Sequence, residues 1–482
     1  MRIQLDTLGS VTDTISGTSY SSEQLAEAVA IRTAILAKRN IGRGDKVLIK
    51  HGGTPSFFAD LLAVWNVGAC AACLNPAITE PELLNIIDFL KPALVLYGTG
   101  QVQCSDLPIP ALILDREKSS SSLCSFDVSG HQDDDALILF TSGTTGTPKG
   151  VVHTARSLSA RLALNQAYIP HKIRQKTLCP LPTHFGHGLI GNSLTALLGG
   201  NDLFLTRGGD LRLSAVIGKL IDDNNITFMS SVPAHWKVIL KASPPPSRSS
   251  LRKVHIGSAP LSVDLWNSVI QWSGTNDVAN MYGITETCNW IGGASAASMP
   301  PEEGLVGAVW GGSAAILTNT GDICKIGKGE IIVSTPSLMS GYFNLNDLTN
   351  QVLENGWFHT GDIGVIDRNG MIKLTGRQKF EINRGGLKVH PEDIDVLLER
   401  HPSVLEATAF GVADSIVGQT VAVAVCADTG WKIDIEELQR WCVENLTREK
   451  IPEKWFVLSE IPKTDRGKVN RDHVANVCLS KS

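Results

Sequence analysis

The stretch LFTSGTTGTPKGVVHT, residues 139–154, concentrates groups suited to holding an anion. Thr141, Ser142, Thr144 and Thr145 offer hydroxyls, and Lys149 supplies a positive charge. Gly143 lets the backbone approach closely, so that amide N–H groups can add donors to phosphate oxygens. The common nucleotide P-loop needs Gly-Lys-Ser/Thr after four spacer residues. Here Lys149 follows Pro148 and precedes Gly150, so that pattern fails, and the plain alternative is a glycine-rich turn.

Such a loop needs a strand to deliver it and a helix to follow. ALILF (136–140) reads as the strand, and a helical run follows the loop. Residues 21–40 carry apolar side chains at helical spacing after a serine cap, which predicts an amphipathic helix. DKVLIK (45–50) then reads as a strand and FFADLLAVWNVGA (57–69) as a helix. The alternation continues through ELLNIIDFL and ALVLYG, and through LSAVIGKLIDD and ITFMSSV. Strands alternating with helices predict α/β layers with largely parallel sheets. The serine run at 119–122 and the segment 243–250 read as surface loops.

From about residue 320 the texture changes to short β segments with Asn-Gly and Gly turns, which predicts a β-rich subdomain. After Lys379 come a hairpin, the helix HPEDIDVLLERHP, two strands, the helix IDIEELQRWCVENL and a tail. At about 100 residues this region is large enough to be a separate α+β domain. The expected division is therefore 1–378 and 379–482.

The chain has 482 residues, 43% of them hydrophobic and 19% charged, with a net charge of −5. That length predicts more than one domain, and the small charge points to neither nucleic acid nor an anionic membrane surface. The N-terminus lacks the basic-then-apolar pattern of a signal peptide, and there is no apolar run of membrane-spanning length. Of the ten cysteines, the one close pair, Cys70 and Cys73, lies in an apolar run that reads as a buried strand. A reducing cytoplasm is the expected setting.

TSGTTGTPKG resembles the phosphate-loop signature of the adenylate-forming superfamily: acyl- and aryl-CoA ligases, peptide-synthetase adenylation domains and luciferases. Further resemblances follow in order: MYGITET (281–287), GEIIVSTPSLMSGYFN (329–344), WFHTGDIG (357–364), GRQKFEINRGGLKVHPEDI (376–394) and PKTDRGKVNR (462–471). The resemblance implies a large N-terminal α/β domain and a small mobile α+β lid. It implies that a carboxylic acid is adenylated by ATP with Mg²⁺ and that the acyl group then passes to a thiol. The thiol is coenzyme A or, as the alternative, the phosphopantetheine of an acyl or peptidyl carrier protein; no carrier domain is expected after Lys468.

The resemblance also assigns roles. Lys468, Thr285 and Glu286 are the expected catalytic residues, and Glu286 with Thr145 would hold the metal. Around the nucleotide it places Thr141 to Thr145, Lys149, Gly257, Ser258, Ala259, Pro260, Asn280, Met281, Tyr282 and Gly283. Tyr282 would stack on adenine, and Asp362 with Arg377 would take the ribose hydroxyls. Lys379 is the expected hinge. Lys468 would face the α-phosphate during adenylation, and the hairpin Arg384, Gly385, Gly386 and Lys388 would serve the thiol step after the lid swings.

The acid pocket is expected at PLPTHFGHGL (180–189), where Phe185 stands in the place of a common histidine, flanked by His184 and His187. Phe380 likewise replaces a common Asp. No Asp lies between Leu178 and Leu197, which disfavours an α-amino acid, and Phe185, Trp236 and Trp290 suit an aromatic or short apolar acid. A luciferase-like oxygenase and a non-catalytic nucleotide or acid sensor are the remaining alternatives. The chain keeps Lys149, Glu286, Asp362 and Lys468, which argues against the sensor.

Overall fold

The structure, a computed structural model, describes residues 7–101, 103–104, 107–117, 132–141, 149–206, 211–384, 387–414, 418–428, 430–464 and 468–480. The chain divides into two compact units. The first holds residues 1–302, 306–313 and 334–358, and the second 303–305, 314–333 and 359–482.

The first unit is built on two sheets. In one, Asp135–Thr141, Cys70–Cys73, Lys46–Ile49, Leu94–Leu96 and Ala111–Leu112 lie side by side and parallel. Lys149–Thr154 folds back antiparallel on Asp135–Thr141, and Gly341–Tyr342 pairs with its outer edge. The expected alternation of strands with helices Ser22–Lys38, Pro55–Asn66 and Glu80–Leu90 is present. The first two of these helices start where a cap residue satisfies orphan N–H groups. Ser21 forms a reciprocal box with Gln24, and Thr54 accepts from Phe57 N–H ahead of Pro55. Pro55–Asn66 is apolar nearly all round, and it is buried accordingly.

Strand geometry settles the Cys70–Cys73 pair. Successive side chains alternate between faces, so Cys73 joins the core cluster that includes Phe57 and Leu61, and Cys70 the one that includes Leu83 and Tyr97. Both thiols are buried core groups, and desolvation raises the pKa of Cys73 to about 12.

The second sheet runs Val11–Asp13, Asp202–Leu205, Lys176–Cys179, Phe228–Ser231, Lys253–Gly257 and Val278–Gly283, all parallel. Trp290–Ser295 returns antiparallel along Val278–Gly283. The carboxyl ends of these strands carry the site residues, as open parallel sheets generally do. Between Lys176–Cys179 and Asp202–Leu205 the chain forms a π-helical stretch, His187–Leu194, not foreseen from the sequence. Such wide turns recur at functional positions.

Largely in the second unit, Ile323–Cys324, Ser313–Leu317, Gly327–Ser334, Trp357–Ile366 and Ile372–Arg377 lie side by side in that order. A five-stranded sheet follows, centred on Gly418–Ala427. Its sequence VAVAVCA alternates large and small residues because both faces are covered. Val421, Val423 and Val425 pack with Leu397, Leu438 and Cys442. Ala422, Ala424 and Cys426 pack with Val474 and Cys478 of helix Arg471–Leu479. Among the described residues no helix is long and apolar enough to cross a membrane.

Candidate active site

Glu286 lies on a 3₁₀ turn, Thr285–Thr287, just after strand Val278–Gly283. Gly283 is required at that junction, since a Cβ there would come within 2.4 Å of the Asn289 carbonyl oxygen. All three carbonyls of the turn are caught by distant groups. His153 Nε2–H donates to Thr285 O at 2.9 Å, Met339 N–H to Glu286 O at 2.8 Å, and Ser337 Oγ–H to Thr287 O at 3.0 Å. Ser337 is in turn held by the buried Arg161, whose Nε and Nη2 donate to it at 3.0 and 2.6 Å. Among the described residues Arg161 has no carboxylate as a hydrogen-bond partner, and burial lowers its pKa to about 10.

The Glu286 carboxylate accepts from Tyr342 Oη–H at 2.8 Å. Burial beside that carboxylate pushes the Tyr342 phenol far above its ordinary range, so it stays a donor. Lys149 Nζ lies 4.0 Å from Glu286 Oε1 and 3.6 Å from the Tyr342 ring centroid. Burial lowers the Lys149 pKa, with Glu286 opposing. Tyr342, Met339, Ser337, His153 and Arg161 were not foreseen as site residues. All but Arg161 lie inside the motif segments 139–154 and 329–344, which was the available signal.

The predicted pocket residues are partly gathered. His187 stands between two serines, Nδ1 2.9 Å from Ser258 Oγ and Nε2 2.6 Å from Ser230 Oγ. Ser258 holds a left-handed φ of 72°, which turns its side chain at the end of strand Lys253–Gly257. The His187 ring meets the Trp290 edge at 5.3 Å, and His255 packs on Trp290 at 4.7 Å and on Phe228 at 4.9 Å. Desolvation holds His255 neutral, its pKa well below the ordinary value. His184 and Phe185 are in ring contact at 3.9 Å. Asn280, Met281 and Tyr282 are buried, while Gly257, Ala259 and Pro260 continue the loop around Ser258. Trp236 is fully buried, edge-on to Trp272 at 5.4 Å.

In the second unit Arg377 Nε donates to Asp362 Oδ1 at 2.5 Å. Asp362 is 4% exposed inside strand Trp357–Ile366, opposite Arg377, and its N–H donates to Thr360 Oγ1 at 3.0 Å. Just before it, Gly361 takes a left-handed φ of 68°, a conformation that glycine adopts without strain. Lys468 is exposed, and its carbonyl accepts from Thr464 N–H at 2.8 Å. Lys379 Nζ pairs with Asp472 at 2.8 Å. Arg384 pairs with Glu453 and donates to the Arg448 carbonyl at 3.2 Å. Ser142, Gly143, Thr144, Thr145, Gly385 and Gly386 lie outside the described residues, as do the side chains of Thr141 and Lys388.

The donor set bears on a metal. Among the described residues no group of three or more His, Cys, Asp or Glu could enclose an ion. One half-buried carboxylate, Glu286, with one oxygen tied to Tyr342, fits Mg²⁺, which favours one or two carboxylates together with phosphate oxygens.

Comparison with known proteins shows the family. The family described as AMP-binding enzyme matches residues 10–343, and the AMP-binding enzyme C-terminal domain matches 393–468. Oxalate–CoA ligase of Arabidopsis thaliana is 32% identical over 480 residues, 95% of this chain and 92% of that protein. Probable CoA ligase CCL9 of Humulus lupulus is 30% identical over 486 residues, covering 95% and 91%. Among solved structures, ATP-bound MatB from Rhodopseudomonas palustris superposes with a TM-score of 0.84 at 25% identity, covering 98% of this chain and 96% of that one. The o-succinylbenzoate CoA synthetase of Bacillus subtilis, bound to its acyl-adenylate, gives 0.86 at 23% identity over 98% and 96%, a likeness of fold.

Proposed function

This chain belongs to the AMP-binding enzyme family, an AMP-forming acid–thiol ligase, and from that premise we propose that it joins a short or aromatic carboxylic acid to coenzyme A. The observation that carries the reading is the Glu286 carboxylate, braced by Tyr342 and 4.0 Å from Lys149, the first residue of the strand that follows the phosphate-loop sequence.

In the proposed first step a carboxylate oxygen of the acid attacks the α-phosphorus of ATP, and the bond to pyrophosphate breaks. Lys149 and the loop Thr141–Thr145 bind the phosphates, with Glu286 and Thr145 as metal ligands and Thr285 beside them. Mg²⁺, when bound, offsets phosphate charge and orients the leaving group. Tyr282, with Gly257 to Pro260 and Asn280 to Gly283, is assigned to the adenine, and Asp362 with Arg377 to the ribose. Lys468 contributes an ammonium to the charge that develops on the α-phosphoryl oxygens, which favours the transition state over the ground state. In the second step a thiolate attacks the acyl carbon and AMP leaves. Residues 379–482 are proposed as a lid pivoting at Lys379, with Arg384–Lys388 serving this step.

Coenzyme A is favoured as acceptor over a carrier protein because the relatives are named CoA ligases. The acid is proposed to be compact. Trp290 and Met281 at 3% exposure, Phe228 at 1% and His255 at 0% close the space beneath His187. The Arabidopsis relative is named for oxalate, which is likewise short.

The test is ATP–pyrophosphate exchange against a panel of short, medium and aromatic acids. Acid-dependent exchange that falls about 10²–10³-fold in Lys468→Ala supports the reading. ATP binding without exchange for any acid would overturn it.

A further inference from the structure

The side chain of Tyr342 serves two groups at once. Its hydroxyl donates to Glu286 Oε1 at 2.8 Å, and its ring face lies 3.6 Å from the Lys149 ammonium. The ammonium and the carboxylate are themselves 4.0 Å apart and partly buried, at 27% and 15% exposure. Opposite charges so placed gain energy by closing further, more than they would in water. The shared ring gives each an alternative: a charge-assisted hydrogen bond for the carboxylate and a cation–π contact for the ammonium.

Tyr342 is well placed to hold both. It is 4% exposed, and it pairs with Val151 across the strand that begins at Lys149. Its backbone N–H donates to Thr349 Oγ1 at 2.9 Å. The same segment supplies Met339 N–H to the Glu286 carbonyl and Ser337 to the Thr287 carbonyl, so backbone and side chain of Glu286 are braced by one strap.

We propose that Tyr342 is a positioning residue for the metal–nucleotide complex, its hydroxyl holding one oxygen of Glu286 and its ring holding Lys149. This leaves the second carboxylate oxygen for the metal and keeps Lys149 from collapsing into a tight ion pair that would compete with metal and phosphate. The proposal rests on the reading of Glu286 as a metal ligand.

Tyr342→Phe keeps the ring and removes the hydroxyl. Mn²⁺ binding is measured by the electron paramagnetic resonance of free Mn²⁺, with the whole protein and α,β-methylene-ATP. Loss of a hydrogen bond to a ligating carboxylate is expected to weaken Mn²⁺ binding about ten-fold. The Mg²⁺ concentration that half-saturates pyrophosphate exchange should rise in step, with the rate at saturating Mg²⁺ retained. Glu286→Asp shortens the carboxylate beyond the phenol's reach, so adding Tyr342→Phe to it should cost nothing further. This second arm reads the coupling from the other side. Unchanged Mn²⁺ affinity in Tyr342→Phe, a loss confined to the saturated rate, or full additivity with Glu286→Asp would each overturn the proposal. Glu286→Gln separates the two levels. If it too binds Mn²⁺ normally, the assignment of Glu286 as a metal ligand fails; if it alone loses the metal, only the role of Tyr342 does.

Discussion

His153 should make the first unit acid-sensitive in a measurable way. The ring is fully buried in strand Lys149–Thr154, and Nε2–H donates to the Thr285 carbonyl. Its Nδ1 has no hydrogen-bond partner among the described residues, so protonation would bury both a charge and an unmatched donor. Desolvation lowers the pKa from 6.5 to about 4, with the bond to Thr285 opposing. Between those values the unfolded chain binds the proton and the folded one does not. Stability therefore rises with pH through this window and is lost as pH falls. At about 1.4 kcal/mol per pH unit the full cost is about 3 kcal/mol below pH 4, and about 1.4 kcal/mol is already lost at pH 5.5. His153→Gln places an amide N–H near the former Nε2 and cannot titrate. Urea denaturation followed by tryptophan fluorescence, from pH 7 down to pH 4.5, compares the two proteins. The variant should be less stable at pH 7 and should lose less on acidification, closing the gap. His235, held at about 4, and His255 push in the same direction in both proteins and cancel in the difference. A gap that does not change with pH would refute the reasoning.

Asp362→Asn should weaken ATP binding by about ten-fold, because two hydrogen bonds to a charged acceptor become bonds to an amide; calorimetric titration with ATP reads it, and unaltered affinity would remove Asp362 from the nucleotide site. Asp395→Asn removes the charge paired with Arg471, at 11% and 16% side-chain exposure, where helix Arg471–Leu479 begins three residues after Lys468. Breaking a buried pair from one side should destabilise the second unit by about 3 kcal/mol, read by denaturation through Trp441 and Trp455. Glu392, 3.5 Å from Arg471, remains as a partial substitute, so a further Glu392→Gln should deepen the loss.

Local pattern carried much of the architecture. A serine before an apolar run at helical spacing marked Ser22–Lys38, because caps and side-chain periods are properties of a few consecutive residues. Motif residues such as Glu286, Asp362 and Lys468 were also legible, since each is embedded in a distinctive short segment. What surrounds them was not. Tyr342 reaches Glu286 across 56 positions, and Arg161 reaches Ser337 across 176. The same limit applies to His187 between Ser230 and Ser258, and to the contact of Trp236 with Trp272. Those pairings depend on which strands lie side by side and in what register. A hydrophobic period specifies that a strand exists and which face it buries, but strand order is set by packing over the whole unit, and only the folded chain decides which polar group meets which.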